Sequence, residues 1–254
     1  MSRVLVIGLN TFRENLREKL LYNLVIFALL IIGSSILLQR LSLGDTSRLI
    51  LDLGLAAINI FGVLIAIFIG IGLVSKEIDK KTIYTIISKP VPRYEFLLGK
   101  YLGLSITLLV NTLIMLAGFL LVLFYMDVPI SVLLFKAVFL IFLELMVVTA
   151  VALLFSTFTT PTLSAIFTLS IYVIGHLTGD LKVLGAKLEG SGRVFLTGLY
   201  YLMPNLENFN IKGRVIHHLE IGGTDLALIF AYGLLYTTLV LLLAVAIFQR
   251  RDFR

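Results

Sequence analysis

The chain has 254 residues, 59% of them hydrophobic and 14% charged, with a net charge of +6 and neither cysteine nor tryptophan. A soluble chain carries about 25% charged residues, so this composition, with a mean hydropathy of +1.05, excludes an ordinary water-soluble domain and makes lipid the main solvent. Unbroken apolar runs exclude a transmembrane β-barrel, clustering of Lys and Arg at the ends of those runs excludes a nucleic-acid footprint, and the lack of cysteine excludes disulfides and thiolate metal sites.

Residues 1–19 are polar with an apolar stripe. Leu5, Leu9, Phe12 and Leu16 step by four, three and four, which is one face of a helix. With Arg3, Arg13, Arg17 and Lys19 around it, this predicts a helix lying in the membrane interface ahead of the first span. Its charged region is longer than that of a secretory signal, so cleavage is not expected. Six spans follow, at about 20–38, 49–74, 101–126, 130–155, 162–177 and 225–248. The second is rich in small residues (Gly54, Ala56, Ala57, Gly62, Ala66, Gly70, Gly72), which let helix backbones approach closely in lipid. It reads as a packing helix, with a subunit interface as one use. Pro161 opens the fifth span, where proline is tolerated. The mixed-polarity segment 178–224 contains Val194-Phe195-Leu196 and Leu199-Tyr200-Tyr201-Leu202, which predict a short amphipathic helix in the outer interface, ended by Asn205 to Asn210. The fold class is therefore an all-α polytopic membrane protein, a single domain over 1–254.

Six spans put both ends on one side. The amino-terminal segment, residues 75–100 and the tail hold thirteen Lys and Arg, against eight elsewhere, five of which lie in the long 178–224 segment. Positive charge stays in the cytoplasm, so both termini and the 75–100 stretch are expected there and 178–224 outside. That stretch carries Lys76, Lys80, Lys81, Lys89, Arg93 and Lys100. Ile78, Ile83, Ile86 and Ile87 fall near one helical face, and Pro90 and Pro92 stop the helix. It predicts an amphipathic cytoplasmic helix presented to a partner.

Three stretches together resemble the type-2 ABC exporter permeases. Thr11-Phe12-Arg13-Glu14-Asn15-Leu16-Arg17-Glu18-Lys19-Leu20-Leu21-Tyr22 is similar to the helix leading into their first span. Glu77, Thr82, Ser88-Lys89-Pro90, Arg93 and Gly99-Lys100 resemble their first cytoplasmic loop. Tyr200-Tyr201-Leu202-Met203-Pro204-Asn205-Leu206-Glu207-Asn208-Phe209-Asn210 resembles the outer loop of a branch described as multicopper-enzyme-maturation permeases. The resemblance implies a half-transporter in a bacterial or archaeal cell membrane. Two permeases, identical or related, pair with two ATP-binding subunits, and ATP with its magnesium belongs to those subunits. Residues 75–98 become the coupling loop between spans 2 and 3, with Glu77, Asp79, Lys80, Lys81, Thr82, Ile83, Tyr84, Ile86 and Ile87 on the ATPase. Substrate would pass along the dimer interface, lined partly by spans 2 and 5. The chain itself lacks Gly-x-x-x-x-Gly-Lys-[Ser/Thr], so ATP hydrolysis is expected elsewhere.

Each candidate has a plainer reading. The charges of the 75–100 stretch also suit a solvated face beside lipid headgroups, where exposed ion pairs add only ~0–1 kcal/mol each. Docking affinity would come mainly from Ile83, Tyr84, Ile86 and Ile87. Pro90, Pro92 and Arg93 form a coupling lever or a simple turn. Glu144, mid-depth in span 4, is a candidate polar site with Asn59, either for a cation or as a pair within the bundle. Asn59 and Asn111 read as interhelical donors, and Lys136 as a snorkelling side chain. His217, His218 and Glu220, or His176 with Asp180, have too few ligands for a metal site. Three function classes follow: an ATP-driven permease; a mechanical or scaffolding module acting on an extracytoplasmic partner; and a secondary carrier using Glu144, disfavoured because no inverted repeat is evident.

Overall fold

The computed structural model describes residues 3–39, 46–79, 92–187, 190–217 and 219–250, with 38–39, 46 and 73–79 as backbone alone. These hold ten α-helices, a 3₁₀ turn and no strand. In order they are α1 Arg3–Asn15, α2 Lys19–Gln39, α3 Thr46–Asp79, α4 Arg93–Tyr125, α5 Val132–Ser156, α6 Pro161–His176, α7 Thr178–Lys187 and α8 Ser191–Leu202. The 3₁₀ turn Leu206–Phe209, α9 Lys212–Ile216 and α10 Gly223–Arg250 complete the chain. Among the described residues, α2, α3, α4, α5 and α10 are long and apolar enough to cross a membrane. The expected fifth span is different: α6 reaches only about 24 Å, and the sixth crossing exists only if α6 and α7, bent by 65°, form one broken span.

The helices also run past the expected edges of the 75–98 loop. No Gly or Pro follows Val74 until Pro90, so nothing stops α3 at the end of its apolar run, and it continues to Asp79. Helix α4 starts at Arg93 directly after Pro92, with Glu95 in its first turn, where the helix dipole favours a carboxylate. Residues 93–98 are thus helix, not loop.

Helices α3 and α5 form the interior, whereas α2 and α10 turn most of their surface outward. The small residues of α3 are spent inside this chain. A Cβ at Gly54 would overlap the Phe119 ring of α4, and one at Gly62 would lie 2.6 Å from a Leu145 methyl of α5. These two positions are packing sites within the chain and not surface held for a second subunit.

Helix α1 packs by a face roughly a quarter turn round from its apolar stripe. Its buried residues are Gly8, Thr11 and Asn15, while Leu5 and Leu9 are exposed. Between two helices in lipid, close backbone approach decides the contact. A Cβ at Gly103 of α4 would lie 2.5 Å from the Gly8 carbonyl oxygen, and one at Gly99 would lie 2.6 Å from Ile7 Cβ. The Asn15 amide donates to Thr107 Oγ1 at 3.1 Å, and buried Lys100 pairs with Glu14 at 3.4 Å. Two stretches of the family pattern, the leading helix and Gly99-Lys100, therefore bind one another. Gly103→Val should detach α1, because the obstacle is backbone that cannot rotate away. Overpacking of this kind costs about 1–3 kcal/mol; the check is faster tryptic cleavage at Arg13 and Arg17 with a lower unfolding temperature in detergent.

The guanidinium of Arg93 donates to the Phe248 and Gln249 carbonyls, both at 3.0 Å, capping the end of α10, and Phe96 stacks on Phe248 at 6.1 Å. So α1, the two ends of the 80–91 stretch and the end of α10 share one end of the bundle. The described residues between 177 and 222 occupy the other, the loop end.

At the loop end the segment does more than lie along an interface. Helix α8 is present with no buried residue, but the chain after it folds back into the bundle. Leu206, Phe209, Ile211 and Val215 are core residues, each 5% exposed or less. Two glycines make room for the plug. A Cβ at Gly175 would lie 2.7 Å from Leu206 Cγ, and one at Gly233 would lie 3.1 Å from the Phe209 ring. Asn205 does not merely end α8. Its side-chain oxygen accepts from Thr178 at 2.9 Å and its backbone N–H donates to Tyr232 at 2.8 Å.

Candidate functional site

Where the plug meets the spans, the polar side chains of the interior converge. Glu144 sits midway along α5 with no exposed surface. A carboxylate at that depth costs a few kcal/mol unless paired, and each of its oxygens has a nitrogen partner. Asn59 of α3 donates from Nδ2 to Oε2 at 2.8 Å, and His176 Nε2 lies 2.8 Å from Oε1. The Asn59 oxygen in turn accepts from the Tyr172 hydroxyl at 2.7 Å. Tyr172 and His176 lie one turn apart on α6, so they share a face, with rings edge-on at 4.7 Å.

The second imidazole nitrogen leads out of the bundle. His176 Nδ1 lies 3.2 Å from Glu207 Oε2 on the 3₁₀ turn. Glu207 is 49% exposed, and the Asn210 amide donates to both its oxygens at 3.0 and 3.2 Å. Lys212 of α9 faces the same carboxylates. Burial pushes its ammonium below the usual lysine value, while Glu144, Asp52 and Glu207 pull it back up. Beside Glu207 opens a polar cavity of about 550 Å³ whose walls include Asn210, Arg214, Asp225 and Tyr232. The arrangement is a chain of hydrogen bonds from the centre of α5 to solvent at the loop end.

Several expected residues fall elsewhere. Of the docking set, Lys80, Lys81, Thr82, Ile83, Tyr84, Ile86 and Ile87 lie outside the described residues, as does Pro90. Glu77 and Asp79 are described as the last turn of the α3 backbone only. Pro92 precedes α4, and Arg93 is its first residue, bonded to α10. His176 turns to Glu144 and Glu207, not to Asp180, which is exposed. His217 is exposed as well, and His218 lies outside the described residues. Asn111 does not bridge helices; it donates to the Thr107 carbonyl of its own helix at 2.7 Å. Lys136 Nζ reaches the Ile221 carbonyl at 3.5 Å, pinning the loop-end segment to α5. The sequence pattern did not reveal Tyr172 or Glu207 as members of this network: Tyr172 sits in an apolar span with no charge to mark it, and nothing local marks Glu207, which comes from a returning turn.

Comparison with protein families gives one match, which extends from residue 5 to residue 253 and is described as ABC-2 family transporter protein. It names the family as a whole and no branch within it. No curated protein matches the chain.

Proposed function

Because the chain belongs to the ABC-2 transporter family, we propose that this multi-pass membrane protein is the permease subunit of an ATP-driven exporter whose nucleotide-binding subunit is a separate chain. The observation that carries this reading is the match of residues 5 to 253 to that family. The arrangement of the ends supports it. α1, the end of α10 and both flanks of the 80–91 stretch gather at one end, and the excess of Lys and Arg makes that end the cytoplasmic one.

In this reading residues 77–87 dock on the ATPase, with Ile83, Tyr84, Ile86 and Ile87 supplying the buried anchors. Motion then enters the bundle by two rigid routes. One is the unbroken helix from Asp79 through α3 to Asn59. The other is Arg93, which joins the start of α4 to the end of α10. A second permease copy pairs through lipid-facing surface. Helix α6 keeps Ile166, Phe167 and Leu169 exposed for this, whereas Gly54 and Gly62 of α3 are already occupied.

Replacing Ile83 by Glu, or Tyr84 by Asp, puts a carboxylate where the docking groove would be apolar. Both variants should still insert, yet lose co-purification of the nucleotide-binding subunit by tenfold or more, which is about 1.4 kcal/mol. Undiminished recovery of the ATPase with both would refute the docking assignment.

A further inference from the structure

The hydrogen bonds at the loop end count protons. A carboxylate ion only accepts, and a neutral imidazole offers one donor and one acceptor. His176 faces a carboxylate at each nitrogen, Glu144 at 2.8 Å and Glu207 at 3.2 Å. The remaining contacts of those carboxylates are filled by donors, Asn59 on Glu144 and Asn210 on Glu207. One imidazole N–H cannot satisfy both sides. The trio closes only when it holds two protons, either as an imidazolium between two carboxylates or as a neutral imidazole beside a protonated Glu144. Both arrangements have the same net charge, so the proton belongs to the trio as a unit. Remove one proton and a carboxylate faces a ring lone pair.

We infer that Glu144, His176 and Glu207 form a proton-binding site that latches the Leu206–Phe209 turn onto the bundle and exchanges its proton with the medium at the loop end. Glu144 has no exposed surface and Glu207 is 49% exposed, so the imidazole is the link between interior and solvent. Among the described residues no group of three or more His, Asp and Glu is arranged to hold a metal ion; the proton is assigned from the donor and acceptor count at the two imidazole nitrogens. The other charged and titratable groups near the trio are Lys212 from α9, which feels Glu144, Glu207 and Asp52 of α3, and Tyr172 from α6 itself; Arg214 of α9 and Asp225 of α10 line the cavity beside Glu207, and Asp180 of α7 is exposed. Of the two links, the one to half-exposed Glu207 is longer and wetter, so it is the one that opens. The sign follows: the closed latch binds the extra proton, so it is favoured at low pH and released as pH rises through the imidazole range. A one-proton linkage changes the closed-to-open ratio by at most about tenfold per pH unit.

The absence of native cysteine makes the test direct. Exposed Asn208 lies on the turn; an Asn208→Cys chain in lipid nanodiscs carries a single nitroxide, and its spectrum reports the mobile fraction. Raising pH from about 6 to about 9 across the imidazole range should convert an immobilised signal to a mobile one. Adding Glu207→Gln should keep it immobilised throughout, because an amide can donate to the neutral ring or accept from the charged one. Adding Lys212→Arg should leave the wild-type pH response in place. A spectrum insensitive to pH, a Glu207→Gln chain that still releases at high pH, or a response that disappears with Lys212→Arg would each overturn the proposal.

Discussion

Glu144→Ala should be among the most destabilising single substitutions in this chain, while Glu144→Gln should be mild. The alanine removes the carboxylate and strands its two nitrogen partners at once. Asn59 Nδ2 and His176 Nε2 both point at Glu144 from 2.8 Å, and Glu144 has no exposed surface. Leaving a buried donor unpaired costs about 1–3 kcal/mol, and more for a charged group. Breaking one side of a buried charged pair costs about 3–5 kcal/mol in all. Glutamine keeps the shape and one acceptor. Its new amide donors are accommodated if Asn59 turns its oxygen inward and the Tyr172 hydroxyl rotates to accept. Denaturant unfolding of the detergent-solubilised protein separates the two cases. The ring account predicts a loss of several kcal/mol for alanine and under about 1.5 kcal/mol for glutamine, the usual range for a shape-conserving swap. Equal losses from both would mean that the carboxylate charge, which neither variant keeps, decides stability, and that the shape and acceptor retained by glutamine count for nothing. A double-mutant cycle with Asn59→Ala should be strongly non-additive, since the Asn59 donor has nothing to bond once the carboxylate is gone.

That pairing was partly legible in the sequence. Glu144 and Asn59 each fall at mid-depth of an apolar run, and a polar group there must find a partner inside the bundle. The apolar runs themselves mark α2, α3, α4, α5 and α10, because a bilayer demands about twenty such residues per crossing. Helix α1 shows what the same logic leaves out. In water the apolar stripe Leu5, Leu9, Phe12, Leu16 would be the packed face. At a membrane it suits lipid, and the protein contact falls to Gly8, Thr11 and Asn15, whose partners Gly99, Gly103 and Thr107 are some ninety residues away. His176 illustrates a second limit. Helical spacing places Asp180 as its neighbour, but α6 ends at His176 and the chain bends, so the actual partner, Glu207, comes from a turn that returns from beyond α8. The docking residues lie where the sequence pattern remains the whole argument.

The plug itself was hidden for the same reason, and it sets the other large effect. Phe209→Ala should release the loop-end segment while leaving the spans intact. Pro204-Asn205-Leu206-Glu207-Asn208-Phe209-Asn210 reads as a polar loop, because two apolar residues three apart are too few to show a period. Yet the Phe209 side chain is fully buried, lies beside Tyr232 at 6.1 Å between ring centres, and occupies space that a Cβ at Gly233 would reach to within 3.1 Å. Truncating a buried phenylalanine costs about 3–5 kcal/mol, much of it the cavity left behind. Here the structure has a cheaper escape than keeping the hole. The turn and α9 can leave together, so the loss in global stability is capped at the free energy that docks this segment. Hydrogen exchange should therefore rise sharply over residues 204–216 in the variant, with protection retained in α3 and α5. Because Leu206 leaves with Phe209, Gly175→Val, which crowds Leu206 from the α6 side, should produce the same exchange pattern without removing any apolar group. If Phe209→Ala instead lowers protection evenly across all the spans, the turn is an inseparable part of the core and not a segment docked upon it.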